Sequence, residues 1–174
     1  MKRVLLDTNV YTALLKEGET GKSVVVQAAA LGFRFYGFEE VRHELKSAPR
    51  MVVHFSENLR ADLLRLYEEV IVREYGFEQK MMDLAVEYYN AYRSFGGGIS
   101  HKDIITDFLI VACASLKQVD VVVSQDAGSM LNAYARRSYA EVNSKHDLAV
   151  PKLWTYESFK KEIEKEARLN ERKE

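Results

Sequence analysis

Residues 4–10 read VLLDTNV: three apolar residues, then Asp7, Thr8 and Asn9 in a row. The apolar run reads as a buried strand. Asp-Thr-Asn reads as the place where that strand stops and a helix begins. All three polar side chains accept hydrogen bonds from the free N–H groups of a first helical turn, so capping alone accounts for the triplet. A chemical role for Asp7 requires further carboxylates delivered to the same place, and the rest of the chain decides whether they arrive.

The chain has 174 residues, a length that suits one domain with a small appendage. Its 47% hydrophobic and 29% charged residues form a globular balance, with enough apolar material for a core. A net charge of −1 removes any global basic field as a signature of nucleic-acid binding, so a polyanion would have to be met by a local patch. The single cysteine, Cys113, sits in an apolar helical pattern. It cannot form an internal disulfide and reads as a buried, inert thiol, which suits a reducing compartment. The apolar run after Met1-Lys2-Arg3 is broken at Asp7, too soon for an export signal, and no run reaches membrane-spanning length. The expected location is the cytoplasm.

Periodicity predicts an alternation of strands and helices. Val4–Leu6 is a short strand, followed by a helical segment over Val10–Leu15 that stops near Gly18. A helix over Lys22–Leu31 ends with Gly32 just beyond it, where glycine is favoured. Phe33–Gly37 alternates as a second strand, and Phe38–Ser47 is a helix with Phe38, Val41 and Leu45 on one face. Ser56 is the expected cap of a helix carrying Leu59, Leu63, Leu66 and Val70; Val70–Arg73 is either that helix's end or a short strand. Phe77–Phe95 is the longest helix, with Phe77, Met81, Leu84, Tyr88, Tyr92 and Phe95 in one stripe that reads as core packing. Gly96–Gly98 then makes a helix–helix loop. It follows no strand and lacks phosphate-loop spacing.

Ser100 caps the next helix, expected over His101–Lys117. Val121–Ser124 follows as a strand buried on both faces, with Asp126 just past it. Ala127–Arg137 reads as helical, Val150–Thr155 as an edge strand because of Pro151, and Ser158–Glu174 as a charged helix with a thin face of Phe159 and Ile163. The expected fold class is α/β: a three-layer α/β/α sandwich around a central, mostly parallel sheet. Residues 1–155 form the domain and 156–174 a charged C-terminal helix or tail.

In such sheets ligands gather at the carboxyl ends of the strands. Asp7 and Asp126 both end strands there. Glu40 and Glu44 lie one turn apart on the helix after the second strand; Asp103 and Asp107 lie one turn apart on the helix before the Asp126 strand. Taken singly, each has an ordinary explanation as a solvated or dipole-complementing charge. Together, four segments bring acid to one sheet edge. Close carboxylates repel, and a divalent cation relieves that repulsion. Oxygen-only donors favour Mg²⁺ or Mn²⁺, and no Cys or His pair has zinc spacing.

These residues carry a resemblance. Asp7 in LLDTN, Glu44 in VRHEL, Asp107 in TDFLIVACA and Asp126 in VVVSQD resemble the PIN domain family over about residues 3–155. The first and the last two motifs, in this order, are the specific ones. The resemblance implies metal-dependent cleavage of RNA, as in VapC-type toxins of toxin–antitoxin pairs or in RNA-processing relatives. It implies Asp7, Glu44, Asp107 and Asp126 as catalytic residues, the three aspartates as ligands of Mg²⁺ or Mn²⁺, and Asn9, Ser124 and Asp103 as supports. RNA, an antitoxin protein and a second copy of the chain are the implied partners, with the helices at Arg60–Glu69 and Phe77–Phe95 as surfaces for a homodimer. The chain departs from the pattern in its long, tyrosine-rich 50–95 region and in the stretch after Asp126. FEEVRHEL also leaves Glu40 as a rival to Glu44, which the following leucine favours.

Phosphate charge on a substrate calls for a basic rim. Arg42, Lys46, Arg50, Lys102, Arg136 and Arg137 are the candidates, with Arg136 and Arg137 preferred because they follow Asp126. Thr8 is expected to cap, and His101 to lie on the surface. Three rivals stand beside this reading. A haloacid-dehalogenase-type phosphatase needs Asp where Asn9 stands. A flap-type nuclease would be longer. A metal- or RNA-binding PIN-like protein without catalysis would keep the fold and the acids.

Overall fold

The computed structural model describes residues 1–48 and 58–171. Among them, five strands and eight helices alternate: β1 (Lys2–Leu6), α1 (Thr8–Glu17), α2 (Glu19–Ala30), β2 (Phe33–Phe38), α3 (Glu39–Ser47), α4 (Leu59–Val70), β3 (Arg73–Tyr75), α5 (Gln79–Ser94), α6 (His101–Leu116), β4 (Val121–Ser124), α7 (Ala133–Lys145), β5 (Lys152–Thr155) and α8 (Tyr156–Glu171). The strands form one sheet in the order β3-β2-β1-β4-β5, and every neighbouring pair is parallel. This is the α/β sandwich with a parallel sheet that the alternation predicts.

The order follows from the hydrophobic pattern. Val4, Leu5 and Leu6 of β1 and Val121, Val122 and Val123 of β4 are all buried, which suits central strands covered on both faces. From β1 the chain first moves outward through β2 to β3, then crosses back to β4 and β5 on the other side of β1. With right-handed crossovers, this reversal puts successive helices on opposite faces. Accordingly α5 packs on α6 and α7, whereas α1 packs on α2 and α4 and α2 packs on α8. The reversal also leaves a crevice beyond the carboxyl ends of β1 and β4.

Several boundaries differ from the periodicity reading. β3 lies at Arg73–Tyr75, after α4 has ended, and is not a continuation of that helix. The Phe77–Phe95 stripe is shorter than expected: α5 starts at Gln79, Phe77 is exposed, and its N–H is taken by the Glu39 carboxylate at 2.8 Å. Residues 127–132 form turns rather than helix; α7 starts at Ala133, with Asn132 as its cap accepting from the Ala135 N–H. Pro151 precedes β5, so its missing N–H costs no ladder bond. The expected cap Ser56 lies outside the described residues, as do Pro49, Arg50 and His54; Asn58 caps α4. Gly32, predicted just past the end of α2, has φ of 86°, a conformation that glycine adopts without Cβ strain.

The charged last helix has a firmer apolar face than its sequence suggests. Tyr156, Phe159 and Ile163 belong to the same core as the sheet, and the Phe159 ring meets Phe33, Phe35 and Trp154. Lys2 of β1 pairs with Glu166, and Lys160 pairs with Glu17 at 2.9 Å. Cys113 is buried, and burial pushes its thiol up to about 12, which keeps it protonated and unreactive.

Candidate active site

The β1–β4 ladder continues one residue past β1, where the Asp7 N–H donates to the Val123 carbonyl at 2.9 Å. The chain then turns directly into α1. Asp7 is the cap of that helix, its Oδ1 accepting from the Thr8 N–H at 2.7 Å. Capping therefore accounts for one carboxylate oxygen of Asp7. Its other oxygen accepts from the Ser124 hydroxyl and from the Asn9 amide, each at 2.7 Å. Asn9 also accepts from the Gln125 N–H at 2.9 Å, and Ser124 accepts from the Asp126 N–H at 3.0 Å. The ends of β1 and β4 are thus joined by side chains as well as by the ladder.

An open cleft of about 580 Å³ lies over this junction, lined by Asp7, Thr8, Asn9, His43, Glu44, Ser47, Ala48, Asp107 and Asp126. The four expected acids meet there from β1, α3, α6 and the turn after β4. Each is held differently. The Thr8 hydroxyl donates to Glu44, and the Ser129 hydroxyl donates to Asp107. Asp126 is fixed by backbone, its Oδ1 accepting from the N–H groups of Gly128 at 2.9 Å and Ser129 at 2.8 Å.

Asp7 is only 4% exposed. Burial pushes its carboxyl up to about 6, against the bonds from Ser124 and Thr8, with Glu44 and Asp126 adding like-charge repulsion. Burial likewise raises Asp107 to about 7, opposed by Ser129 and reinforced by the charges of Asp7, Asp126 and Glu44. The site therefore stores unfavourable negative charge that a cation would relieve.

The other expected residues separate clearly. Glu44 lines the cleft; Glu40 does not, and lies 3.8 Å from the His43 ring instead. Asp103 is exposed outside the cleft lining and accepts from Ser100, so that hydroxyl does not cap α6. Arg136 is not free: its guanidinium donates to the Leu131 carbonyl at 2.8 Å and the Leu153 carbonyl at 3.0 Å, tying α7 to β5. Arg42 is engaged by Glu68 at 3.1 Å and Glu74 at 3.5 Å. Arg137 lies over the Phe95 ring, and Lys46 and Lys102 are exposed.

Three site residues were not expected from sequence. Thr8 turns from its own helix to hold Glu44, Ser129 holds Asp107, and His43 stands at the cleft wall. The only sequence signal for His43 is its place beside Glu44.

The donor set fits a hard divalent cation in chemistry and charge: oxygen donors alone, two of them held up in pKa by burial and by each other. As the side chains stand, no three His, Cys, Asp or Glu groups among the described residues converge on a common ligation point. The hydroxyls of Thr8, Ser124 and Ser129 hold the acids separately.

No family model matches the chain, and no curated protein matches it in sequence. Solved structures do match in fold. VapBC2 from Rickettsia felis, bound to a DNA fragment from their promoter, superposes with a TM-score of 0.56 and 12% identity, over 88% of this chain and 98% of that one. FitAB bound to the IR36 DNA fragment gives 0.55 and 16% identity over 87% and 94%. FitAcB from Neisseria gonorrhoeae gives 0.54 and 16% over 87% and 96%. At these identities the likeness is one of fold: the chain shares the α/β architecture of these toxin–antitoxin structures.

Proposed function

We propose that this chain is a divalent-metal-dependent endoribonuclease, and that it serves as the toxin half of a toxin–antitoxin pair. The observation that carries the catalytic reading is the meeting of Asp7, Glu44, Asp107 and Asp126 in one cleft at the carboxyl ends of β1 and β4. The toxin reading draws its support from the fold likeness to VapBC2 and FitAB, both solved as complexes. It carries with it an antitoxin partner and a homodimer.

Asp7, Asp107 and Asp126 would hold Mg²⁺ or Mn²⁺. Once bound, the ion supplies positive charge for the phosphoryl oxygens and lowers the pKa of water. The chain's own residues do the positioning. Ser124 and Asn9 fix the orientation of Asp7, and the turn N–H groups fix Asp126. Glu44, oriented by Thr8, is the proton acceptor at the cleft wall and aligns the attacking water. Asp103 and Arg136, by their placement, have no part in this scheme.

The test is cleavage of mixed RNA and single-stranded DNA by the purified chain with Mn²⁺, with Mg²⁺ and with EDTA, with Asp7→Asn beside it. RNA cutting that needs the metal and vanishes in Asp7→Asn supports the reading. A folded, metal-binding protein that cuts neither, even on addition of total cellular RNA, would instead be a non-catalytic metal- or RNA-binding PIN-like protein.

A further inference from the structure

Not every aromatic ring along α5 and at its C-cap, Phe95, stays in the core. Tyr88 and Tyr92 are buried, but Tyr89 and Phe95 reach the surface and meet side chains from two other helices. Tyr89 packs edge-on against His101 at the start of α6, with ring centroids 4.9 Å apart. Tyr92 packs edge-on against Tyr134 at the start of α7, at 6.5 Å and 79°. Tyr134 is 48% exposed, so about half of it faces solvent while the rest leans on the buried Tyr92. Beside it, the Arg137 guanidinium lies 4.0 Å from the centroid of Phe95.

This surface shares the sheet edge of the acidic cleft. α6 runs back toward the start of β4, so its first turn lies at the carboxyl edge. Asp107 follows His101 by six residues, about 9 Å along the helix axis. α7 starts just past the turn that carries Asp126. The cations are also distributed in a way that matters. Arg136 is consumed by two backbone carbonyls. Among the described residues, no carboxylate or carbonyl takes the N–H groups of Arg137, and Lys102 beside His101 is exposed. A guanidinium stacked on a ring keeps its donors in a plane, ready for a phosphate.

We infer that Tyr134, with Phe95, Arg137 and Lys102, forms a docking platform for single-stranded RNA leading into the cleft: a base stacks on the open face of Tyr134, and phosphates take Arg137 and Lys102. Base–aromatic stacking beside a basic track is how single strands are held without sequence readout. The complementarity is local, which reconciles a polyanionic substrate with a net charge of −1. This assignment rests on the ribonuclease reading for its substrate class, but not on catalysis.

The experiment is equilibrium binding of a fluorescein-labelled single-stranded oligoribonucleotide in EDTA, followed by anisotropy, for the wild type, Tyr134→Leu, Tyr134→Phe and Arg137→Gln. A duplex of the same sequence is the second arm, and cleavage with Mn²⁺ is measured in parallel. Tyr134→Leu should weaken single-strand binding at least about fivefold, Tyr134→Phe should restore it, and Arg137→Gln should flatten its salt dependence. Duplex binding should ignore Tyr134, because paired bases offer no free face. Wild-type binding that Tyr134→Leu leaves unchanged, an equal loss on the duplex, or no binding at all would overturn the platform. Cleavage that persists with Tyr134-independent binding would remove the platform and keep the nuclease. Tyr134-dependent binding without cleavage would do the reverse.

Discussion

The hydroxyl of Thr8, the first residue of α1, donates a hydrogen bond to the carboxylate of Glu44 on α3, 36 residues away. A residue whose type suggests a helix cap instead reaches across the cleft and orients an acid, while Asp7 does the capping. Thr8→Val keeps the β-branched shape and removes the donor. Under the nuclease reading, metal-dependent RNA cleavage should fall about tenfold, the scale of a hydrogen bond to a charged group, with the urea midpoint little changed. Thr8→Ser should keep most of the activity. Equal rates for Thr8→Val and the wild type would remove Glu44 orientation from the mechanism.

The raised pKa values of Asp7 and Asp107 predict how stability depends on pH. Both carboxyls bind protons more tightly in the folded chain than in the unfolded one, whose value lies near 3.8. The stability these two groups contribute to the metal-free protein should therefore be fully present below about pH 3.8 and should decline from there upward. It should fall as pH rises through about 6 and 7 and both carboxyls ionise in place. A tenfold difference in proton affinity between the folded and unfolded chain is worth about 1.4 kcal/mol, so the loss amounts to a few kcal/mol. Urea unfolding in EDTA at pH 5 and pH 7.5 measures the part of it that falls above pH 5. Asp107→Asn should shrink the difference, and Mn²⁺ at pH 7.5 should raise the midpoint of the wild type more than that of Asp107→Asn.

Gly21 marks a close approach of two helices. A Cβ there would stand 2.3 Å from the backbone oxygen of Leu14, which cannot swing aside as a side chain could. Alanine would gain helix propensity of up to about 1 kcal/mol. It should nonetheless destabilise the protein by about 3 kcal/mol through the forced separation of α1 and α2. A urea midpoint at or above that of the wild type would show that the two helices are free to part.

Arg136 and Arg137 are adjacent in sequence and opposite in role. Arg136→Ala leaves the Leu131 and Leu153 carbonyls without their donor and should cost about 1–3 kcal/mol of stability. Arg137→Ala loses only its place over Phe95 and should cost less than about 1 kcal/mol. Thermal unfolding of both variants checks the order, which a purely electrostatic view of two surface arginines would make equal.

What the sequence determined by itself is the order of the elements and the meeting of four acids at one sheet edge. Strands declare themselves through short apolar runs, helices through a 3.6-residue period, and both signals are local. Asp7 and Asp126 were legible because a parallel sheet puts the ends of its strands on one edge. Glu44 and Asp107 were legible because a helix turn fixes which face they occupy. Long-range packing decided the rest. The bonds from Thr8 to Glu44 and from Ser129 to Asp107 join residues 36 and 22 positions apart, which no periodicity can pair. The same holds for the exclusion of Asp103 and Glu40 from the cleft and for the split between Arg136 and Arg137. Which of two neighbouring charges meets a carbonyl and which meets solvent is set by the elements packed around them. The aromatic stripe of α5 shows the same division: its spacing made a helix, but only the arrival of α6 and α7 separated the rings that fill the core from those that face outward.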